Sequence, residues 1–422
     1  MRPRAGILIT GTEVLTGIIS DRNGPWLTER MRELGVEVAR ITIVGDRPDD
    51  LLLALNEMRD AGFALIATSG GLGPTADDLT AVVVGRFQGR EMVLDEPLEE
   101  RIAEILKPLS KRWPNLDVDA VRAANRKQAV IPEGSTILEP VGTAPGLVVP
   151  PPASGGPTVL VLPGPPRELQ PMWRTSLQTP PIMEILAKAP KLERRIIRLF
   201  GMPESELAMS LRSIEDGGLD LSSLEITTCL RKGEIEIATT FDETVRDTYT
   251  KFEGEIVARH GNLLFALNGE TVDEIIVERL RGLTLAVGES CTGGLVAARL
   301  CERPGSSDHF IGGVVAYSNS AKEALLGVPG DLIEQHGAVS DEVALAMAKG
   351  SAAALGADVG IGITGVAGPG GGTEEKSVGL VCFAVWSKDG ELVRNVQIPG
   401  GRGDVRERST TIALHLLHRF LT

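Results

Sequence analysis

The chain is poor in the features that would place it in several large protein classes. Cysteine is scarce, with only Cys229, Cys291, Cys301 and Cys382 in 422 residues, and these fall at no metal-ligand spacing. That excludes a disulfide scaffold or a thiolate zinc module and suits reduced thiols in a cytoplasmic protein. Positive charge is in deficit: Lys and Arg total 43 against 57 Asp and Glu, a net charge of −14. A nucleic-acid binder driven by phosphate neutralisation is therefore not expected, although local arginines and helix ends can still hold small phosphates. No uninterrupted apolar run is long enough to cross a bilayer, and no basic-then-apolar leader is present, so no membrane partner is expected. The glycine-rich loop from Ser69 to Thr80 has neither the G-x-G-x-x-G spacing nor a Walker lysine. What remains is a chain with 42% hydrophobic residues and alternating strand and helix signals. It reads as globular and too long for one ordinary core.

The most informative stretch is Gly288-Glu289-Ser290-Cys291-Thr292-Gly293-Gly294, between the apolar run Leu283–Val287 and the small-residue run Leu295–Leu300. It reads as a buried strand, a tight turn and a helix start. A hydroxyl there lies near free backbone N–H groups that can hold an anion or a tetrahedral oxygen, which makes Ser290 a candidate nucleophile. The plain alternative is that Ser290 or Thr292 caps the helix. Two further strand ends add polar groups to one potential cleft. Val314–Lys322 carries Tyr317 and Lys322, and Gly360–Gly372 carries Thr364 and Gly365 in a glycine-rich loop. Ligands in α/β sheets sit at such carboxyl ends. Taken singly, Lys322 reads as a solvated helix residue, and Cys291 as a packing residue rather than a rival nucleophile.

These motifs, in this order, resemble the nicotinamide-nucleotide amidase domain of the CinA family from about Val272 onward. The resemblance implies serine-dependent deamidation of nicotinamide mononucleotide to the nicotinic acid form and ammonia, with no cofactor. It also implies Ser290 as nucleophile, Lys322 as base and Tyr317 as a partner in the proton relay. Thr364 and Gly365 would line the carboxamide or oxyanion pocket. A lysine can act as base only if burial or a neighbouring cation lowers its pKa. Arg402 and Arg406, at a glycine-rich helix entry, match family positions suited to a 5′-phosphate. The chain departs from the family pattern at Gly401, where Asp is usual, and at Ser377, where Pro is usual.

The N-terminal half alternates strands and helices, which means a parallel sheet with crossover helices. Its densest feature is the loop Ser69-Gly70-Gly71-Leu72-Gly73-Pro74-Thr75-Ala76-Asp77-Asp78-Leu79-Thr80. Glycines let backbone N–H groups approach phosphate, and Asp77 with Asp78 could hold a divalent cation or simply offset a helix dipole. With Gly11-Thr12-Glu13, Asn125–Gln128, Val141–Gly146 and Leu162–Glu168, this half resembles the molybdopterin-binding-like domain of CinA proteins. The resemblance implies a divalent-metal-dependent (Mg, Co or Mn), potassium-aided pyrophosphatase splitting ADP-ribose into AMP and ribose 5-phosphate. Asp46 and Asp78 would bind metal or activate water, with Asp77 and Glu13 next. Gly71, Gly73, Thr75 and Thr143 would contact phosphate or ribose.

Between these halves the pattern is α+β, and the resemblance suggests a KH-like connector. Its glutamate-rich strands offer neither a basic groove nor a G-x-x-G clamp, so no RNA partner is expected. The expected chain is thus an α/β protein in three parts: residues 1–175 as a three-layer molybdopterin-binding-like domain, 176–267 as the connector and 268–422 as an α/β amidase domain. Its expected partners are small nucleotides, larger NAD-type dinucleotides included, and a second copy in a homodimer. Two rivals stand beside this reading. A molybdopterin-handling or adenylating enzyme would bind molybdopterin without turning over ADP-ribose. A non-catalytic competence or damage-response scaffold would keep its partners after Ser290→Ala and Asp78→Ala.

Overall fold

The computed structural model describes residues 2–110 and 118–422. They divide into two compact units, the first ending at Glu193 and the second beginning at Arg194.

The first unit holds β1 (Arg4–Thr10), β2 (Glu37–Val44), β3 (Leu65–Ser69), β4 (Met92–Leu94), β5 (Val130–Pro132), β6 (Thr136–Leu138), β7 (Gly146–Val149) and β8 (Thr158–Leu162). Six of them form a sheet in the order β2-β1-β3-β8-β7-β6, and β4 pairs with β5 alone. β1, β2, β3 and β8 run parallel, while β7 pairs antiparallel with both β8 and β6. The Pro- and Gly-rich run before Thr158 closes the β7–β8 hairpin, as its turn chemistry predicts.

Successive side chains leave a strand on opposite faces, so a strand buried on both sides reads as a continuous apolar run. β1 shows this directly. Leu8 packs with Leu51, Leu55, Val83 and Val84 from the helices Pro48–Asp60 and Thr80–Phe87. Its neighbours Ile7 and Ile9 pack with Leu27, Met31, Leu169 and Trp173 from Asn23–Glu33 and Pro166–Ser176. The result is the three-layer arrangement expected from the sequence. Because β2 lies to one side of β1 and β3 to the other, the loops leaving β1 and β3 diverge and open a crevice.

The second unit begins with β9 (Leu192–Phe200), β10 (Glu225–Arg231), β11 (Glu234–Asp242) and β12 (Leu264–Ala266), in the order β10-β11-β9-β12. Helices Glu204–Asp216 and Arg246–His260 accompany this sheet, giving the α+β pattern, with Phe252, Ile197 and Ile237 in its core.

A second sheet follows, made of β13 (Leu285–Glu289), β14 (Phe310–Val315), β15 (Val359–Gly365), β16 (Leu380–Ser387) and β17 (Gly390–Gln397). Its order is β14-β13-β15-β16-β17, parallel across the first three and antiparallel beyond. One face packs large residues, Val287, Ile361, Phe383 and Val385 among them, under helices Val272–Arg279 and Arg402–Phe420. The other face is built from small ones. A Cβ on Gly360 would meet the Ala348 carbonyl oxygen at 2.0 Å, and one on Gly362 the Ala344 oxygen at 1.9 Å. Those two glycines let helix Asp341–Leu355 lie directly on β15, the strand that backs Ser290.

Candidate active site

Ser290 is the first residue past β13, and its N–H donates to the Ile363 carbonyl of β15 at 2.9 Å. With β14 on one side of β13 and β15 on the other, the segments leaving all three strands share one end of the sheet, at its switch point. Helix Asn319–Leu326 begins just past β14, capped by the Ser318 hydroxyl, which accepts from the Ala321 N–H. Lys322 on its first turn points inward: Nζ donates to Ser290 Oγ at 3.0 Å and to the Ala316 carbonyl at 3.1 Å. The lysine is only 2% exposed, and burial holds its pKa below the usual lysine value. The solvated-helix alternative for Lys322 is thereby set aside.

The capping alternative for Ser290 also fails, together with part of the expectation behind its candidacy. Glu289 is wholly buried, and its carboxylate accepts from the N–H groups of Gly294 (2.9 Å), Val296 (3.2 Å) and Ala297 (2.8 Å). The start of helix Leu295–Cys301 is therefore already filled by an anion from within the chain, so its dipole is not free to hold a ligand. Neither Ser290 nor Thr292 caps it, and the Thr292 hydroxyl is buried without a hydrogen-bond partner. Glu289 went unnoticed in the sequence. A carboxylate closing an apolar strand a few residues ahead of a helix is the signal that could have found it.

The remaining expected residues spread around this pair. Tyr317 is 59% exposed, and its hydroxyl accepts from Arg402 Nη2 at 2.7 Å. Arg402 Nη1 donates to the Gly368 carbonyl at 2.8 Å, and Arg406 Nη2 to the Thr292 carbonyl at 2.9 Å. The first turns of helix Arg402–Phe420 thus bring two guanidinium groups to the glycine-rich and serine loops. Thr364 is buried with its hydroxyl committed to the Ala338 carbonyl at 2.7 Å, and Gly365 packs against Val381. Burial pushes the Cys291 thiol up to about 11, so beside Ser290 it stays protonated.

In the first unit a cavity of about 870 Å³ opens where β1, β2, β3 and β8 end. Asp46, Asp77, Asp78, Glu13, Gly71, Gly73, Thr75 and Thr143 all line it, so every N-terminal candidate reaches one space. Asp46 Oδ2 accepts from the Thr12 N–H (3.0 Å) and hydroxyl (2.6 Å). Asp78 Oδ2 accepts from the Thr75 N–H at 3.0 Å, and the Thr75 hydroxyl lies against both Asp77 and Asp78. That hydroxyl holds the Asp77 carboxyl below its usual range. Gly71 has a φ of +65° and its Cβ would fall 2.1 Å from Thr80 Oγ1, so the loop requires glycine there, while a Cβ on Gly73 would displace the Asp78 carboxylate. Lys127 Nζ donates to the Thr75 carbonyl and Gln128 Nε2 to that of Leu72, tying the stretch Asn125–Gln128 to the loop.

Two lining residues carried no assigned role in the sequence. Asn23 Nδ2 donates to Ser69 Oγ (2.9 Å) and the Gly164 carbonyl (2.6 Å), joining two loops. Glu168 lies against Gly142, and burial raises its carboxyl pKa. Among the described residues no three His, Cys, Asp or Glu side chains converge as a ready ligand set. The donors are all oxygens supplied singly or in pairs. That suits a hard cation of the magnesium type, which is usually held by one or two carboxylates together with substrate phosphates.

Fold and sites together define a two-unit α/β protein in which the ends of the parallel strands carry polar side chains, around a cavity in the first unit and around the Ser290–Lys322 pair in the second. Residues 6–184 match the family described as Probable molybdopterin binding domain, and residues 269–421 match the CinA C-terminal domain. A CinA-like protein of Mycobacterium sp. (strain JLS) is 56% identical over 422 residues, covering 100% of this chain and 99% of its own. One from Mycobacterium tuberculosis (strain ATCC 25177 / H37Ra) is 56% identical over 425 residues, covering 99% of this chain and 97% of its own. The crystal structure of a competence or damage-inducible protein from Enterobacter asburiae is 33% identical, covering 36% of this chain and 100% of its own, with a TM-score of 0.35. The chain belongs to the CinA family. No helix among the described residues is long and apolar enough to cross a membrane.

Proposed function

We propose that the chain is a bifunctional cytoplasmic hydrolase of pyridine nucleotides, with a nicotinamide mononucleotide deamidase in its second unit and an ADP-ribose pyrophosphatase in its first. The observation that carries the first activity is the 3.0 Å contact between Ser290 Oγ and a buried Lys322 Nζ. A serine hydroxyl is a weak nucleophile until a base within hydrogen-bond reach takes its proton. A lysine is such a base only in its neutral form, which burial favours.

The neutral Nζ of Lys322 takes the Oγ proton as Oγ attacks the carboxamide carbon. The tetrahedral adduct collapses, the same proton passes to the leaving nitrogen, and ammonia departs. Water then attacks the acyl-serine, gives its proton to Lys322, and returns Ser290 with release of the carboxylate. Arg402 and Arg406 hold the 5′-phosphate, with Tyr317 fixing the Arg402 fork. Ammonia release from nicotinamide mononucleotide by wild type, Ser290→Ala and Lys322→Ala tests this reading. Loss in both variants with folding intact supports it, and retention in either removes that residue from the mechanism.

The pyrophosphatase reading is supported by the convergence of Asp46, Asp77, Asp78 and Glu13 on a single cavity bounded by glycine loops. A divalent ion held by these acids and by the substrate's own phosphates would neutralise the diphosphate and stabilise the leaving phosphate, with potassium aiding. The chain's part is to hold Asp46 and Asp78 in place through Thr12 and Thr75 and to present backbone N–H groups of the loop from Gly70 to Gly73. Cleavage of larger NAD-type dinucleotides is an extension of the same chemistry. Absence of AMP from ADP-ribose under metal-replete conditions would exclude this activity, and molybdopterin binding in its place would favour a molybdopterin-handling role. Cross-linking that finds no second copy would exclude the proposed homodimer.

A further inference from the structure

A second cavity, of about 570 Å³, lies within the second unit, walled by the α+β sheet on one side and by β17 with helix Arg402–Phe420 on the other. It is separate from the residues assigned to either reaction. Its volume falls in the range of small-molecule sites, and its chemistry is one-sided. Every charged side chain on the wall is basic, Lys232, Arg394, Arg408 and Arg419, in a chain of net charge −14. Lys232 has a distant partner in Glu407 at 3.8 Å, and Arg408 reaches only the Pro399 carbonyl. No ion pair engages Arg394 or Arg419 among the described residues. Cations gathered without counter-charges repel one another and are retained most readily where an anion is to be bound.

The opposite component of the wall is flat and aromatic. The Phe200 ring stacks on His415 at 3.7 Å between centroids and 5° between planes, and Phe265 meets His415 edge-on at 4.7 Å. His415 is buried and bonded to Glu234 Oε1 at 2.7 Å, and burial holds its pKa below the usual histidine value. It therefore belongs to the apolar, ring-stacking floor and not to the cationic rim. Asn262 adds a hydrogen-bonding group at the edge, where the Gln397 amide is already held by Ser377 and the Val378 carbonyl. A floor for a planar ring beside a rim for an anion matches one ligand class.

We propose that this cavity is a nucleotide site distinct from both reaction centres, taking a planar base against Phe200, Phe265 and His415 and a phosphate among Arg394, Arg408 and Arg419. It goes beyond the proposed activities and does not depend on them, since none of its residues is assigned to either. The test is equilibrium dialysis of the full-length protein with AMP, with inorganic phosphate as the ring-free arm. Wild type should bind one more AMP per chain than the double variant Arg394→Glu/Arg419→Glu, or bind it at least about tenfold more tightly at that site. Ile412→Trp, which fills the cavity without altering charge, should have the same effect. Both variants should keep the wild-type melting temperature and basal ammonia release. Phosphate should bind there at least about tenfold more weakly than AMP, and AMP binding should weaken with added salt. AMP stoichiometry and affinity unchanged in both variants would overturn the assignment. Equal binding of phosphate and AMP would also overturn it, because the floor would then contribute nothing.

Discussion

Replacing Lys322 is the sharpest perturbation of the proposed amidase, because base and buried cation are the same atom. Nζ touches Ser290 Oγ at 3.0 Å and the Ala316 carbonyl at 3.1 Å, so Lys322→Ala removes the one hydrogen-bonding partner the serine hydroxyl has among the described residues. General-base catalysis contributes about 10²- to 10⁴-fold, or roughly 3 to 5 kcal/mol of barrier, and kcat for ammonia release should fall by that factor. Lys322→Arg should fall as far, because a guanidinium keeps its proton at any working pH. Serine and base act as one unit, so Ser290→Ala/Lys322→Ala should be no worse than Ser290→Ala alone.

The pH profile carries the sign. The working form is the neutral amine, so activity is lost as pH falls through the Lys322 pKa and rises above it. Burial lowers that pKa, which puts the limb below the range of an ordinary lysine, near 10.4. Ammonia release measured from pH 6 to 10, with melting curves for each variant, decides the matter. A correctly folded Lys322→Arg that keeps more than about a tenth of wild-type kcat, or a limb at the value of an unburied lysine, would refute the reasoning.

Glu289→Ala should lower stability by about 3 kcal/mol or more, since it leaves the N–H groups of Gly294, Val296 and Ala297 without their charged acceptor. A denaturant midpoint within about 1 kcal/mol of wild type would contradict its assigned role. Gly362→Ala should destabilise by about 3 kcal/mol through overpacking, because its Cβ would meet the Ala344 carbonyl oxygen at 1.9 Å. Thermal melting reads this, and an unshifted transition would mean that the helix can lift from β15 without loss. Chelation of divalent metal, or Asp78→Asn, should abolish AMP formation from ADP-ribose and leave ammonia release untouched. Parallel loss of both activities would argue against two separate sites.

Much of the architecture could be read from local pattern. The run Leu285–Val287, two glycines and the small-residue run after them specify strand, turn and helix with little ambiguity, and the structure has them there. The four N-terminal carboxylates were singled out by the resemblance, and they share one cavity because parallel strands bring their ends to one edge. What escaped was the direction of side chains that periodicity does not fix. Lys322 sits in a short helix among Asn319, Ser320 and Glu323, where nothing local distinguishes an inward lysine from an outward one, and only the family resemblance singled it out as a base. Glu289 escaped because its partners are backbone N–H groups, so its placement between an apolar strand and a helix start was the one sign of its role. The bond between the Tyr317 hydroxyl and Arg402, a residue 85 positions away, was equally invisible. Only the fold could bring those two together.

The contrast between Ser290 and its neighbour Cys291 shows what this turn selects for. Both are buried, and both precede the same helix. A thiol becomes a nucleophile by losing its proton beforehand, so it needs a cation or a free helix dipole. Here the dipole is filled by Glu289, burial drives the thiol up to about 11, and the one nearby amine is itself biased towards neutrality. An alcohol needs the opposite provision, a neutral base in contact and no standing charge. The buried Lys322 offers that to Ser290 Oγ. The burial that disables the thiol is therefore the same burial that makes the lysine competent as a base, and one dry pocket accounts for both.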